Sequence, residues 1–200
     1  MIRLPPRSTP FPYTTPFRSD RAYTIPGSRL VLAGDEEGTT ADQLISAIGS
    51  DTAAVAYLVR ADEDESTVGL EETVEIAHAR GVPVIADAAA QIYPLDLLRR
   101  NAQSSDLVCF GGKYMGAPHS TGFVCGKKDM IEAVTAHGFI GPRPFGRGMK
   151  MDRQEIIGLV TAIDMWINTD HEERLVRYGA RFSAIERAVQ GVSGVRETKV

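Results

Sequence analysis

Three features of this 200-residue sequence predict an α/β fold, part of a three-layer, mostly parallel sheet with helices on its faces. Several apolar runs are short, show no alternation and stop at polar or glycine residues, as strands buried on both faces do. Amphipathic stretches with helical spacing lie between them. The two kinds of segment alternate along the chain, which favours parallel pairing through helical crossovers.

Residues 1–20 are rich in proline and have no period, and they resemble a translated sequencing-adapter peptide. They read as a foreign or disordered tail outside the fold. Residues 29–33, Arg-Leu-Val-Leu-Ala, read as a short strand. A helix follows from Thr40 to about Ile48, with Thr39 or Thr40 as its cap. Residues 53–59 read as a buried strand. The acidic run Asp62-Glu63-Asp64-Glu65 reads as a solvated loop in preference to a metal site. Leu70 to Arg80 is an amphipathic helix with Glu71 and Glu72 in its first turn, and His78 on it reads as a surface residue.

Next come the strand Pro83–Ala86 ending at Asp87, a short helix from Pro94 to Arg100, and the strand Leu107–Phe110 ending at Gly111-Gly112-Lys113. A loop follows the lysine, then a strand at 122–126 and a helix from about Met130 to Ala136. Residues 137–153 form a Gly/Pro/Arg-rich loop. The long helix from Glu155 to about Asp170 spaces Ile156, Ile157, Leu159, Val160, Ile163, Trp166 and Ile167 for one buried stripe, with Trp166 in the core. A second helical stretch runs from His171 to Val189 with Leu175, Val176, Tyr178, Phe182, Ile185 and Val189 inward.

Composition narrows the function classes. The chain is 43% apolar and 24% charged, as ordinary globular proteins are. A net charge of −4 argues against a nucleic-acid binder. Cys109 and Cys125 each sit in an apolar run and read as buried free thiols of a reducing, cytoplasmic compartment. No apolar stretch has the length of a membrane span.

The chemistry-bearing residues stand at strand tips. In an open α/β sheet, ligands bind beyond the carboxyl ends of the strands. Asp87 and Lys113 each follow an apolar run, so a carboxylate and an amine can face one crevice. The same positions suit a helix cap and a solvated loop lysine. Gly-Gly-Lys-Tyr is not a phosphate-binding P-loop, because no Ser or Thr follows the lysine. A receiver domain also uses a strand-end Asp and Lys, but the acidic pair near its first strand has no clear counterpart.

The context Asp87-Ala-Ala-Ala-Gln91, followed by Gly111-Gly-Lys-Tyr-Met-Gly-Ala-Pro-His-Ser-Thr-Gly122, resembles pyridoxal-phosphate enzymes of the aspartate-aminotransferase fold type. Within them it is most similar to the selenocysteine-synthase-like branch, over roughly residues 27–200. The resemblance implies pyridoxal 5'-phosphate as cofactor, Lys113 as its Schiff-base lysine and Asp87 as the partner of its ring nitrogen. Ala89 would lie against the ring face. Gln91 is a ring-hydroxyl contact or a solvated loop residue, and His119, Ser120 and Thr121 are candidates for the phosphate. Arg147, Lys150 and Arg153 match in charge a basic Arg-x-x-Arg-Val-Asp-Lys pattern of the selenium transferases, with Lys150 and Arg153 exchanged in type. Arg147 and Lys150 are the candidates for the anionic end of a substrate.

The resemblance further implies an α,β-elimination at Cα and Cβ of a β-hydroxy amino compound, through a Schiff base and a quinonoid. Transamination, or an inactive structural fragment, is the other reading. It implies a small amino substrate that carries a carboxylate or phosphate, and a homodimer or higher oligomer; charge and hydropathy argue against a tRNA or membrane partner, and no metal site is expected. The phosphate cradle of such enzymes lies N-terminal to everything present, so the sequence reads as a fragment. The expected parts are a partial cofactor-binding major domain at 21–153, linking helices at 154–190 and the start of a small domain at 191–200.

Overall fold

The computed structural model describes residues 20–35, 37–60, 66–140, 145–190 and 192–194. The acidic run and nearly all of the proline-rich tail and small-domain start lie outside these residues. After a five-residue helix α1 (Asp20–Thr24), the run 29–33 forms no strand. An apolar run becomes a strand only where a neighbouring edge accepts its N–H groups. Here Arg29 is tied to Asp51 at 2.7 Å, and the bridges nearby are Asp35 with Gly38 and Thr39 with Thr67. Thr40 caps α2 (Ala41–Ala47) in a reciprocal box with Gln43.

The sheet contains β1 (Val55–Leu58), β2 (Val84–Asp87), β3 (Leu107–Gly111) and β4 (Gly122–Gly126), in that spatial order. The first two pairings are parallel and the last is antiparallel. The α/β class and the mixed sheet agree with expectation. Helices α3 (Leu70–His78) and α4 (Leu95–Ser104) are the crossovers from β1 to β2 and from β2 to β3. Right-handed crossovers with the strand order advancing one way place both helices on one face. Accordingly a single core joins Ala86, Val108 and Phe110 of the sheet to Leu70 and Ala77 of α3, with Leu98 and Ala102 of α4 against it.

The opposite face is open along one row. Register places Leu58, Asp87, Cys109 and Val124 side by side. Leu58 is 40% exposed, and Cys109 is exposed, so the expectation of a buried thiol there is corrected. A strand apolar on both faces was read as covered on both, but the two crossovers cover only one.

Helix α5 (Lys128–His137) packs on β4, and a 3-10 turn (Phe145–Met149) leads to α6 (Arg153–Ile167). The α6 cap is a reciprocal box in which Asp152 accepts the Glu155 N–H and Glu155 accepts the Asp152 N–H. Leu159, Ala162 and Trp166 are buried and Ile163 packs on the core, while Ile156, Ile157, Val160 and Ile167 are exposed, contrary to the single stripe expected. One helix side buries only a limited arc, and its rotation is pinned where Trp166 Nε1 donates to the Ile92 carbonyl at 3.0 Å.

Helix α7 (His171–Val189) is anchored at its first turn. His171 Nε2 donates to the Trp166 carbonyl and Nδ1 accepts from Arg174 Nε, both at 3.0 Å. The Arg174 guanidinium stands 4.5 Å from the Trp166 ring, a cation–π contact. Beyond that turn, Leu175, Val176, Tyr178 and Ile185 are exposed, against the inward reading. Among the described residues no helix is long and apolar enough to cross a membrane.

Candidate active site

Asp87 closes β2, and backbone hydrogen bonds fix its surroundings from both sides. The Val59 N–H donates to the Asp87 carbonyl at 2.9 Å, and the Ala88 N–H donates to Cys109 at 3.0 Å. The Asp87 carboxylate accepts the Ala89 N–H at 3.2 Å, which turns the chain away from the strand. The Ala89 carbonyl then accepts the Gly111 N–H at 2.9 Å. Asp87 and Ala89 are thereby tied to the strand that leads to Lys113.

The chain after the strand tip, read as a loop from Tyr114 on, begins as a helical turn. Lys113 lies in this 3-10 turn, Gly112–Met115, directly after β3. Buried Gly112 and Met115 hold the turn down, and Gly116 ends it at φ 91°, a left-handed conformation suited to glycine. Lys113 itself is exposed, with Nζ 4.9 Å from the Tyr114 ring centre. The turn is pinned to β4 by the Gly112 N–H donating to the Thr121 carbonyl at 2.9 Å.

Gly112 also has no room for a side chain. A Cβ there would lie 2.4 Å from Thr121 Oγ1 and 2.6 Å from Leu159 Cδ1. Thr121 is buried and its hydroxyl donates to the Pro118 carbonyl, so it cannot yield freely. Gly112→Ala is expected to cost about 1–3 kcal/mol by overpacking. Urea unfolding of the two proteins measures this, and equal midpoints would show that the turn has slack.

Around this centre the other expected residues divide. Gln91 is half-buried, with its N–H donating to the Ala88 carbonyl at 2.9 Å. His119 is exposed in the turn before β4. The Ser120 hydroxyl already has a partner and donates to Glu155 Oε1 at 2.9 Å. Arg147 lies in the Phe145–Met149 turn, its guanidinium reaching the Phe139 carbonyl at 3.4 Å. Lys150 is exposed two residues before the α6 cap, and Arg153 is the first residue of α6.

Two neighbours escaped the sequence reading. Tyr23 of α1 has its phenol pKa raised, by burial first and then by the charge of Asp87. The Cys109 thiol is likewise raised, by partial burial of its sulfur and then by Asp87. It is therefore held as the less reactive thiol. Glu155 is the other, since nothing local marks its contact with Ser120, 35 residues away.

A carboxylate closes one strand, and an amine stands in the turn after its parallel neighbour, at the same end of the sheet. The aminotransferase class-V family model matches residues 27–144, and the chain belongs to this family, whose members use pyridoxal phosphate. It is 31% identical to a 5'-C-glycyluridine monooxygenase-decarboxylase of Streptomyces sp., over 84% of this chain and 41% of that protein. It is 30% identical to the D-glucosaminate-6-phosphate ammonia lyase of Salmonella typhimurium, over 87% of this chain and 44% of that one. A solved structure of a D-glucosaminate-6-phosphate ammonia-lyase superposes with a TM-score of 0.62 at 32% identity, over 72% of this chain and 37% of the other. The chain thus spans less than half the length of these relatives.

The residues present fit the cofactor. Its aldehyde calls for a primary amine and its ring nitrogen for an acid, and Lys113 and Asp87 are residues of those two types beside neighbouring strand ends, which could hold it. Among the described residues no cluster of three metal-binding side chains occurs.

Proposed function

We propose that the full-length protein is a lyase or transferase acting at Cα and Cβ of a β-hydroxy amino compound, by α,β-elimination. The observation that carries this reading is the Ala89–Gly111 backbone bond, which ties the Asp87 segment to the strand that delivers Lys113. Pyridoxal phosphate, when bound, supplies an electron sink for charge developing at the substrate Cα. The Asp87 carboxylate holds a proton at the pyridine nitrogen, because a negative charge at close range favours the protonated form. Ala89 leaves space for a flat ring where a larger side chain would collide. Lys113 Nζ would hold the cofactor through its aldehyde, and the same amine, when free, would take a proton from the substrate Cα. Arg147 and Lys150 hold the substrate's carboxylate or phosphate, a task suited to a guanidinium fork and a point charge. Gln91 would contact the ring hydroxyl, and His119 and Ser120 the cofactor phosphate, with the Ser120 hydroxyl also donating to Glu155.

The protein works in the cytoplasm as a homodimer or larger assembly, on a small amino substrate and without tRNA. In domain terms, residues 21–153 are part of the cofactor-binding domain, 154–190 link it to a small domain, and 1–20 are foreign to it. Relatives of similar identity are named for different reactions, so the assay must separate them. Elimination converts a β-hydroxy amino acid to a keto acid and ammonia, with the water lost from Cβ regained when the imine hydrolyses. The full-length protein, incubated with phosphorylated and unphosphorylated amino-sugar acids, is expected to release ammonia and keto acid in equal amounts with no keto-acid acceptor. Turnover that requires an acceptor and releases no ammonia would instead establish transamination.

A further inference from the structure

The segment carrying Arg147 and Lys150 is joined to the lysine turn through one carboxylate. Glu155 Oε1 accepts the Ser120 hydroxyl at 2.9 Å. Its Oε2 accepts the Asp152 N–H at 3.2 Å, and its own N–H donates to Asp152 at 2.7 Å. Ser120 belongs to the same connection, between Lys113 and β4, that is pinned by the Gly112 N–H to Thr121 bond. Lys150 lies two residues before Asp152, so the place where the basic segment ends is set where this carboxylate holds it. Two further contacts follow along α6. A Cβ on Gly158 would touch Pro118 at 3.1 Å, and Leu159 occupies the space beside Gly112. The apolar contacts seat the helix, and the Ser120–Glu155 bond joins its first turn to the lysine connection.

We propose that Glu155 is a positioning residue for anion recognition, setting Lys150 and the adjoining Arg147 against the lysine turn through Ser120. The inference rests on the anion-holding role proposed above for Arg147 and Lys150. Both Glu155 oxygens are committed to donors, so the carboxylate braces the basic segment without competing for the anion. A helix cap alone would need Asp152 and the Glu155 backbone, but not Ser120.

The test uses inorganic phosphate as probe, titrated calorimetrically into the full-length, cofactor-loaded protein, whose cofactor phosphate site is already filled. Glu155→Ala and Ser120→Ala are each expected to weaken phosphate binding about tenfold. The double variant should be no weaker than Glu155→Ala alone, because that change already removes the Ser120 bond. Arg147→Ala or Lys150→Ala should also weaken it. If Ser120→Ala binds phosphate as the parent does while Lys150→Ala does not, the positioning role is overturned and the anion reading stands. If neither basic residue affects binding, the anion reading is wrong and the inference falls with it. Should Glu155→Ala fail to fold, Ser120→Ala, an exposed hydroxyl, still decides the matter.

Discussion

Replacing Lys113 with alanine in the full-length protein is expected to remove the bound yellow chromophore and lower turnover by about a thousandfold or more. Lys113 is exposed, and its ammonium stands 4.9 Å from the centre of the Tyr114 ring. Its loss should therefore leave the unfolding free energy within about 0.5 kcal/mol of the parent. That separation makes the measurement clean, since a fall in activity cannot be assigned to a damaged fold. Absorbance after desalting, steady-state turnover and urea unfolding report the three quantities. Retained colour and turnover would remove the basis of the proposed function. Lost turnover together with a large loss of stability would show that the turn depends on the lysine itself.

Asp106 is expected to matter as much for stability as Lys113 does for chemistry. It is 3% exposed at the start of β3, and three donors converge on its carboxylate. They are the Val84 N–H at 2.6 Å, His78 Nε2 at 2.9 Å and Lys127 Nζ at 2.5 Å. It thus joins β2, the end of α3 and the residue after β4. Burial pushes its pKa up, but the bonds from Lys127, His78 and Val84 outweigh burial and bring it down to about 2 from an ordinary 3.8. Folding lowers this pKa, so the carboxylate contributes stability above pH 3.8 that is lost as pH falls through about 2. The shift corresponds to about 2 kcal/mol.

Asp106→Ala leaves the fully buried Val84 N–H without a partner and should cost about 3–5 kcal/mol at pH 7. Urea midpoints at pH 7 and at pH 2 check both statements. The gap between parent and variant should narrow at the lower pH, and a constant gap would mean that the charge contributes nothing.

His78 and Asp106 show why some of this was hidden. His78 reads as a surface residue, and it is largely exposed, yet its inner nitrogen completes the Asp106 cluster. The residues that meet there are 28 apart in sequence for His78 and 22 for Val84, so no local pattern marks them. The positions of Asp87 and Lys113 were legible because an apolar run that stops abruptly marks a strand end. The run at 29–33 misled because hydropathy records the wish to be buried, not whether an edge is available. The outer positions of α6 and α7 misled similarly, since period alone does not say how wide an arc a neighbour covers.

The order of strands and helices was written in the sequence, as were the two strand tips and the residue types they present. These depend on contacts a few residues apart and on the alternation of apolar and polar side chains. The tertiary structure alone decided which sheet face stayed open, that Cys109 shares that face with Asp87, and that Ser120 meets Glu155. Those outcomes depend on crossover handedness and on partners brought together by chain reversal, and such long-range choices leave no period in the sequence.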